Sequence, residues 1–450
     1  PQIKNTTYGY DSFGNVIYTH KKGDVDNADD DRFEYYNYLN NSNAWIVDKA
    51  KNYSLLSSNN STVLRTALYT YDDLEHNQEP IKGDVTKKEE VLDNINNPVT
   101  NYSYDLLGNL VNETNPKEKR TEYIYGMKDT TRTFVDRSVN SKKHETDYDY
   151  ELGTGNLNNK TDSNKVLTEF EYDELSIDEK TILPFDTAEK PTQNYTYDFT
   201  SADEGKIVVK QREESNKEKT LDTYRFYDGF GRLIQTKKEA ESDKQIVVDT
   251  YYDKQGRVNA TSNPYFSSFS AVYTTPDTTV NLTIYEYDLL DRVTKVINPD
   301  GTFKTINYIH WNITVLDENQ NRKDYILDAY SNIIKVIENN NGINYTTNYE
   351  YNEANELILI TDSLGNNFSY YYNLLGRKVA SIDPDRGVIN YSYDKVGNLV
   401  QQNDSRGVNL TIQYDELNRK TKEITGILNR TYLYDINQND TLSSVLIVSL

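Results

Sequence analysis

The sequence predicts an all-β protein: an antiparallel up-and-down ribbon of hairpins wound into a solenoid or spiral, barrel-like shell. Three observations carry this. A Tyr-x-Tyr-Asp word recurs from one end of the 450 residues to the other, turn residues at fixed spacing follow it, and the stretches between turns alternate in polarity with period two.

The repeat is most regular over 281–440. Its words are Tyr285-Glu-Tyr287-Asp288, Tyr349-Glu-Tyr351-Asn352, Tyr370-Tyr-Tyr372-Asn373, Tyr391-Ser-Tyr393-Asp394, Ile412-Gln-Tyr414-Asp415 and Tyr432-Leu-Tyr434-Asp435, the last five about 21 residues apart. Over 1–280, copies such as Tyr102-Ser-Tyr104-Asp105 are less even. Charged stretches at 21–31, 75–93, 128–146 and 202–221 separate them and read as solvated loops or longer projecting hairpins. No Pro- or Ser-rich linker interrupts the chain, so 1–450 reads as one continuous architecture ending in an apolar stretch, 441–450. That stretch reads as a last strand of the shell, a strand donated to a neighbour, or the place where a longer polypeptide was cut.

Turn chemistry follows each word, as in Asp105-Leu-Leu-Gly108, Asn373-Leu-Leu-Gly376 and Asp394-Lys-Val-Gly397. Asp or Asn at the first position can bond backbone N–H groups, and Gly at the fourth accepts a positive φ. A second turn of the same kind closes the other end of the unit, as in Asn298-Pro-Asp-Gly301, Asp362-Ser-Leu-Gly365 and Asp404-Ser-Arg-Gly407. One unit is then two strands of about six residues, each about 20 Å long. Repeated along the chain, this gives about thirty strands, and an open sheet of more than about ten curls or splits under its own twist. The ribbon must wind on itself. Alternation puts Tyr102 and Tyr104 on one face and Asn101, Ser103 and Asp105 on the other. Rings gathered on the concave face and stacked between strands would replace an aliphatic core.

Composition agrees with this. Hydrophobic residues make up only 36% of the chain, but 40 Tyr stand against 12 Phe and 2 Trp. A net charge of -22 argues against nucleic-acid binding, which needs clustered Lys and Arg. Absence of Cys removes disulfides, thiolate metal sites and a cysteine nucleophile. There is no apolar run long enough for a membrane-spanning helix. The chain opens at Pro1, as expected if a leader was removed or never included.

The full pattern, Tyr-x-Tyr-Asp-x-x-Gly-Arg/Asn-Leu/Val, resembles the YD repeats of the RHS family, which includes the RHS proteins, the B and C components of Tc toxins and the teneurin shell. The resemblance runs from Tyr8 to Tyr434. It implies a hollow β-cocoon enclosing a toxin segment or an internal plug. RHS toxin shells usually end in a DPxG-type core that supports aspartyl autoproteolysis. Here the nearest string, Asp383-Pro-Asp-Arg-Gly387, has Gly in the wrong place and lies within the repeats, so toxin release is not carried over.

About nineteen Asn-x-Ser/Thr sequons occur, roughly twice the number expected by chance. Asn101, Asn194, Asn344, Asn367 and Asn390 share one position just ahead of the Tyr word, opposite the rings, where N-glycans would attach to an exported protein. The four histidines, His20, His76, His144 and His310, form no HExxH and no pair at ligand spacing. Gly153-Thr-Gly155-Asn-Leu-Asn158 fails GxGxxG at its last position. The weak metal candidate is Asp24, Asp26, Asp29 and Asp31, hard oxygen ligands suited to Ca²⁺ but without the Gly and terminal Glu of an EF-hand loop.

The expectation is a non-enzymatic structural protein without a cofactor, at a cell surface, in a fibre or in an adhesive assembly. Its partners would be further copies, other surface proteins or glycans. The alternative is a toxin-delivery shell around an encapsulated polypeptide.

Overall fold

A computed structural model of the chain describes residues 4–93, 95–200, 204–426, 428–435 and the backbone of 446–449. Backbone pairing joins 37 strands, from β1 (Asn5–Tyr10) to β37 (Leu446–Ser449), in one sheet of antiparallel ladders. The helix among the described residues is a single 3-10 turn, Ala28–Asp30. Almost every strand pairs with its neighbours in sequence. The exception is β20 (Val258–Ser262) and β21 (Tyr265–Ser268), which lie end to end along β19 (Lys244–Tyr252). Pro264, which has no N–H to donate, marks the break between them. Only β20 continues, to β22 (Leu282–Tyr287). Among the described residues the ribbon stays open: β1 pairs with β2 (Val16–Lys22) and β37 with β36 (Leu428–Leu433), with no ladder between the two ends.

Both turn classes use one device. Asp105 Oδ1 accepts from Leu107 N at 2.9 Å and Asn109 N at 3.0 Å, while Gly108 N donates to Asp105 O at 3.1 Å. At the opposite edge, Asn115 Oδ1 accepts from Lys117 N at 2.9 Å and Lys119 N at 3.0 Å. The fourth residue is left-handed whether or not it is Gly: Gly397 has φ 97°, Asp291 62° and Asn418 61°. Each YD strand then slips register just before its motif tyrosine, as between Ser103 and Tyr104 and between Ser392 and Tyr393.

Three of the charged stretches expected to loop out hold strands of the sheet: β6 (Val85–Glu90), β10 (Arg137–Val139) and β16 (Glu204–Arg212). Ladders on both sides place them, and apolar burial is not required, so Lys and Glu are tolerated. The stretch 21–31 is a loop, as expected. Of 441–450, only the backbone of β37 lies within the described residues.

Most strand residues are half-buried, and the buried hydrophobic cluster is small: Val208, Tyr224 and Phe226, with Ile234 and Tyr273 against it. It sits where β16, β17 (Thr220–Asp228) and β19 lengthen to nine residues. Residues 269–275 cross this face as a strap held by buried polar side chains. Lys237 Nζ donates to Val272 O at 2.6 Å, Gln235 Nε2 to Thr274 O at 2.8 Å, and Gln245 Oε1 accepts from Ser270 N at 3.1 Å. These side chains satisfy a backbone that has no ladder of its own.

A methyl group added at Gly108 would meet nothing within 4 Å, so the cost of Gly108→Ala is conformational. We expect about 1 kcal/mol in urea unfolding, and less for Gly108→Asn. Gly387→Ala is expected to cost more, because its β-carbon collides with the Ser405 side chain.

Candidate functional site: the tyrosine relay and the winding seam

The motif tyrosines are tied by their hydroxyls. Ten of them, from Tyr104, Tyr125, Tyr172, Tyr197 and Tyr252 through Tyr287, Tyr372, Tyr393, Tyr414 and Tyr434, donate to a backbone carbonyl at 2.6–3.2 Å. In each case the acceptor opens the return strand of the preceding hairpin. Tyr393, for example, reaches Lys378 O at 2.8 Å, and Lys378 is the first residue of β31 (Lys378–Asp383). The reason is geometric. The ladder from β31 to β32 (Gly387–Tyr393) starts only at Ala380, so the Lys378 carbonyl faces the next hairpin without an N–H opposite it.

The residue after the fourth turn position completes a relay. Arg232, Arg257, Arg292 and Arg419 each donate Nε to the turn aspartate, Asp228, Asp253, Asp288 or Asp415, at 2.7–2.8 Å. Their guanidinium groups then lie over the Tyr252, Tyr287, Tyr308 and Tyr434 rings, 4.3–4.7 Å from the centroids. Where Asn replaces Arg, its amide reaches the next turn: Asn398 Nδ2 donates to Asp394 Oδ2 at 3.0 Å and Asn418 Oδ1 at 2.9 Å. Ring stacking contributes less than the sequence suggests. Close ring pairs are local, such as Tyr18–Tyr35 and Tyr36–Tyr53 at 5.1 Å, and do not link successive motif tyrosines.

Burial raises the phenols: Tyr71 and Tyr330 are pushed up to about 12. Burial also tends to raise Asp394 and Asp415, but this is outweighed. For Asp394 the Lys117 ammonium and the Asn398 N–H groups, and for Asp415 the Arg419, Leu417 and Lys142 groups, leave the carboxylate below its ordinary range.

Contacts between residues about 300 apart define how the ribbon winds. Tyr330 OH donates to Lys21 O at 2.9 Å, and the Arg32 guanidinium lies 3.3 Å over the Tyr330 ring. Ser58 N donates to Glu353 Oε1 at 2.9 Å, Arg65 pairs with Glu356, Lys117 Nζ lies 3.0 Å from Asp394 Oδ2, and Lys142 Nζ 3.3 Å from Asp415 Oδ2. The turn between β26 (Arg322–Leu327) and β27 (Ile333–Asn340) thus meets the loop between β2 and β3 (Arg32–Asn41). The turn after β28 (Ile343–Tyr351) meets that after β4 (Ile46–Leu56), the turn after β32 that after β8 (Leu110–Thr114), and the turn after β34 (Asn409–Tyr414) that after β10. In all four the strand numbers differ by 24. Because β20 and β21 share one position, a winding is 23 sheet positions, an odd number, so the YD tips of the second winding sit on the plain-turn edge of the first.

The structure does not assemble the four candidate calcium ligands. Asp31 bonds His20 at 2.6 Å, Asp24 Oδ1 accepts from Asp26 N at 3.3 Å, and Asp29 N donates to the cap Asn27 Oδ1 at 3.2 Å. Among the described residues no cluster of three or more His, Asp or Glu could hold a metal ion. At the shared sequon position, Asn101, Asn344, Asn367 and Asn390 are exposed, while Asn194 is half-buried. The seam residues Arg65, Lys117 and Lys142 had no signal in any single repeat, because their partners lie a full winding away.

Removing one relay hydroxyl, Tyr393→Phe, is expected to cost about 1 kcal/mol in urea unfolding, as the Lys378 carbonyl loses its donor. The raised phenols also set an alkaline limit. Their folded values of about 12 exceed the unfolded 10.0, so their contribution is intact below pH 10.0 and is lost as pH rises through about 12. A denaturant midpoint that does not fall across that window would contradict the assignment.

Residues 202–307, which contain the strap, match a family model described as a domain of unknown function, DUF6443. No curated protein matches the sequence. Among solved structures the chain is similar to TcdB2-TccC3, at 15% identity and TM-score 0.75 over 96% of this chain and 30% of that one. TcdB2-TccC3 without its hypervariable C-terminal region gives 13%, 0.76, 98% and 32%. The Tc holotoxin pore of Photorhabdus luminescens, carrying a TccC3 mutation, gives 13%, 0.76, 98% and 33%. The chain therefore spans about a third of the length of the solved chains it matches, and over that span it has the RHS-type fold of a Tc toxin shell.

Proposed function

We propose that the chain is a wall of a YD-repeat shell, that its work is architectural and not enzymatic, and that the space it winds around holds a polypeptide. The winding seam carries this reading: residues far apart in sequence interlock edge to edge, as a container wall requires. The likeness to TcdB2-TccC3 supports it.

Size narrows the contents. At about 4.8 Å per strand, a winding has a perimeter of about 110 Å and, if round, a width of about 35 Å. Taking off about 10 Å for the sheet leaves about 25 Å inside. A folded 100-residue domain, with a radius of gyration of about 13 Å, does not fit. An unfolded or extended chain does.

A second reading, an exported surface or fibre protein bearing N-glycans, is favoured by the exposed sequons at one repeat position, Asn101, Asn344, Asn367 and Asn390.

Electron cryomicroscopy and intact-mass analysis of the native product of the full gene separate the two. Containment predicts protein density inside the wall that the ribbon does not account for, and a segment protected from added protease. A solvent-filled interior, with a mass raised by glycans, would reject containment in favour of the surface reading.

A further inference from the structure

Turn tips of the two windings are chemically alike but differently covered. Both place an apolar residue at the third position. In the first winding these are exposed: Leu107 at 64%, Leu175 at 79%, Phe230 at 87% and Leu290 at 73%. In the second, Leu375, Val396 and Leu417 are partly buried at the seam. The first winding therefore presents along its whole tip edge the same surface that the second has already docked.

The seam also has a charge direction. Among the described residues every ion pair across it puts the cation on the plain-turn edge and the acid on the tip edge: Arg65 to Glu356, Lys117 to Asp394, Lys142 to Asp415 and Asp435, and His144 to Asp435. Lys117 and Lys142 both occupy the third position of an Asn-x-Lys turn. On the plain-turn edge that the second winding leaves free, that position holds Asp300, Asn319, Leu364 or Asp385, all exposed. The free tip edge is acidic as well, with Asp72, Asp73, Asp105, Asp173 and Glu174. Stacking one copy on another in the sense of the seam would bring two acidic edges together.

We infer that the tip edge of the first winding is a docking surface for a separate polypeptide, one with a strand ribbon of the same kind whose plain turns carry lysine at the third position. That lysine is the specificity determinant, and this chain's own free edge is excluded by lacking it. The inference rests on the seam and holds whatever the shell encloses.

The chain itself can serve as the probe. Asp300→Lys, Asn319→Lys, Leu364→Lys and Asp385→Lys together give its free edge the seam's chemistry. Head-to-tail contacts of this kind do not close, so the variant is expected to form rods, its mass in light scattering rising with concentration to at least twice the 52.1 kDa of the wild-type monomer. Adding Leu107→Asp and Phe230→Asp on the tip edge should restore the monomer. A control with Asp300→Asn and Asp385→Asn should stay monomeric and keep the β-sheet circular dichroism of the wild type.

Three results would overturn the inference: a folded lysine variant that remains monomeric, rods that persist after the tip substitutions, or a wild-type chain that itself stacks through the tip edge, which would make a second copy the partner.

Discussion

The architecture depends on one hydrogen bond made over and over, from the hydroxyl of a motif tyrosine to the carbonyl that opens the previous return strand. A register slip at each YD turn leaves that carbonyl unpaired, and an unpaired backbone acceptor away from water is costly. Tyrosine answers both needs with one side chain. Its ring covers the strand below, and its hydroxyl reaches across to the bare carbonyl, as Tyr372 does to Leu357 O at 3.0 Å. Phenylalanine would supply only the cover. This explains how 40 Tyr come to stand against 12 Phe in a wall with little fully buried apolar surface.

Once the hairpins are tied in this way, both ribbon edges consist of turns with the same backbone and different side chains. The third position decides what such an edge can touch: Leu, Phe or Val at the tips, Lys at the covered plain turns. A seam built from turns needs no strand pairing between windings. It keeps its own hydrogen bonds, because the first residue of each turn has already satisfied the local N–H groups, as Asp394 does for Val396 and Asn398. Asp394 then still has an oxygen to offer Lys117.

Local features were legible in the sequence and remote ones were not. The strands of the regular repeats, both turn classes and the need to wind follow from Tyr-Asp spacing, period-two alternation and sheet twist. The stacked-ring ladder was the wrong inference from the right residues. Tyr393 is where alternation puts it, but its partner is the backbone carbonyl of Lys378 and not a neighbouring ring. The strands β6, β10 and β16 were hidden because charge reads as loop, whereas a strand paired on both sides needs no apolar side chains to stay in place. The pairing of Lys117 with Asp394 was out of reach, since nothing in either repeat records how many strands make a winding.

That strand count also accounts for the irregular first half. From Lys21 to Ser141 the first winding spends many more residues than the second does from Tyr330 to Glu416, the separation of paired residues falling from 309 to 275. Yet each pair is still 24 strands apart. Insertions that lengthen a loop or a strand leave the seam in register, whereas gaining or losing a hairpin would shift every contact beyond it. The charged stretches are tolerated for this reason: the wall is measured in strands and not in residues. The long strands β16 to β19, with the strap of 269–275, are the extreme case, an elaboration of about seventy residues that adds only a few positions to the winding.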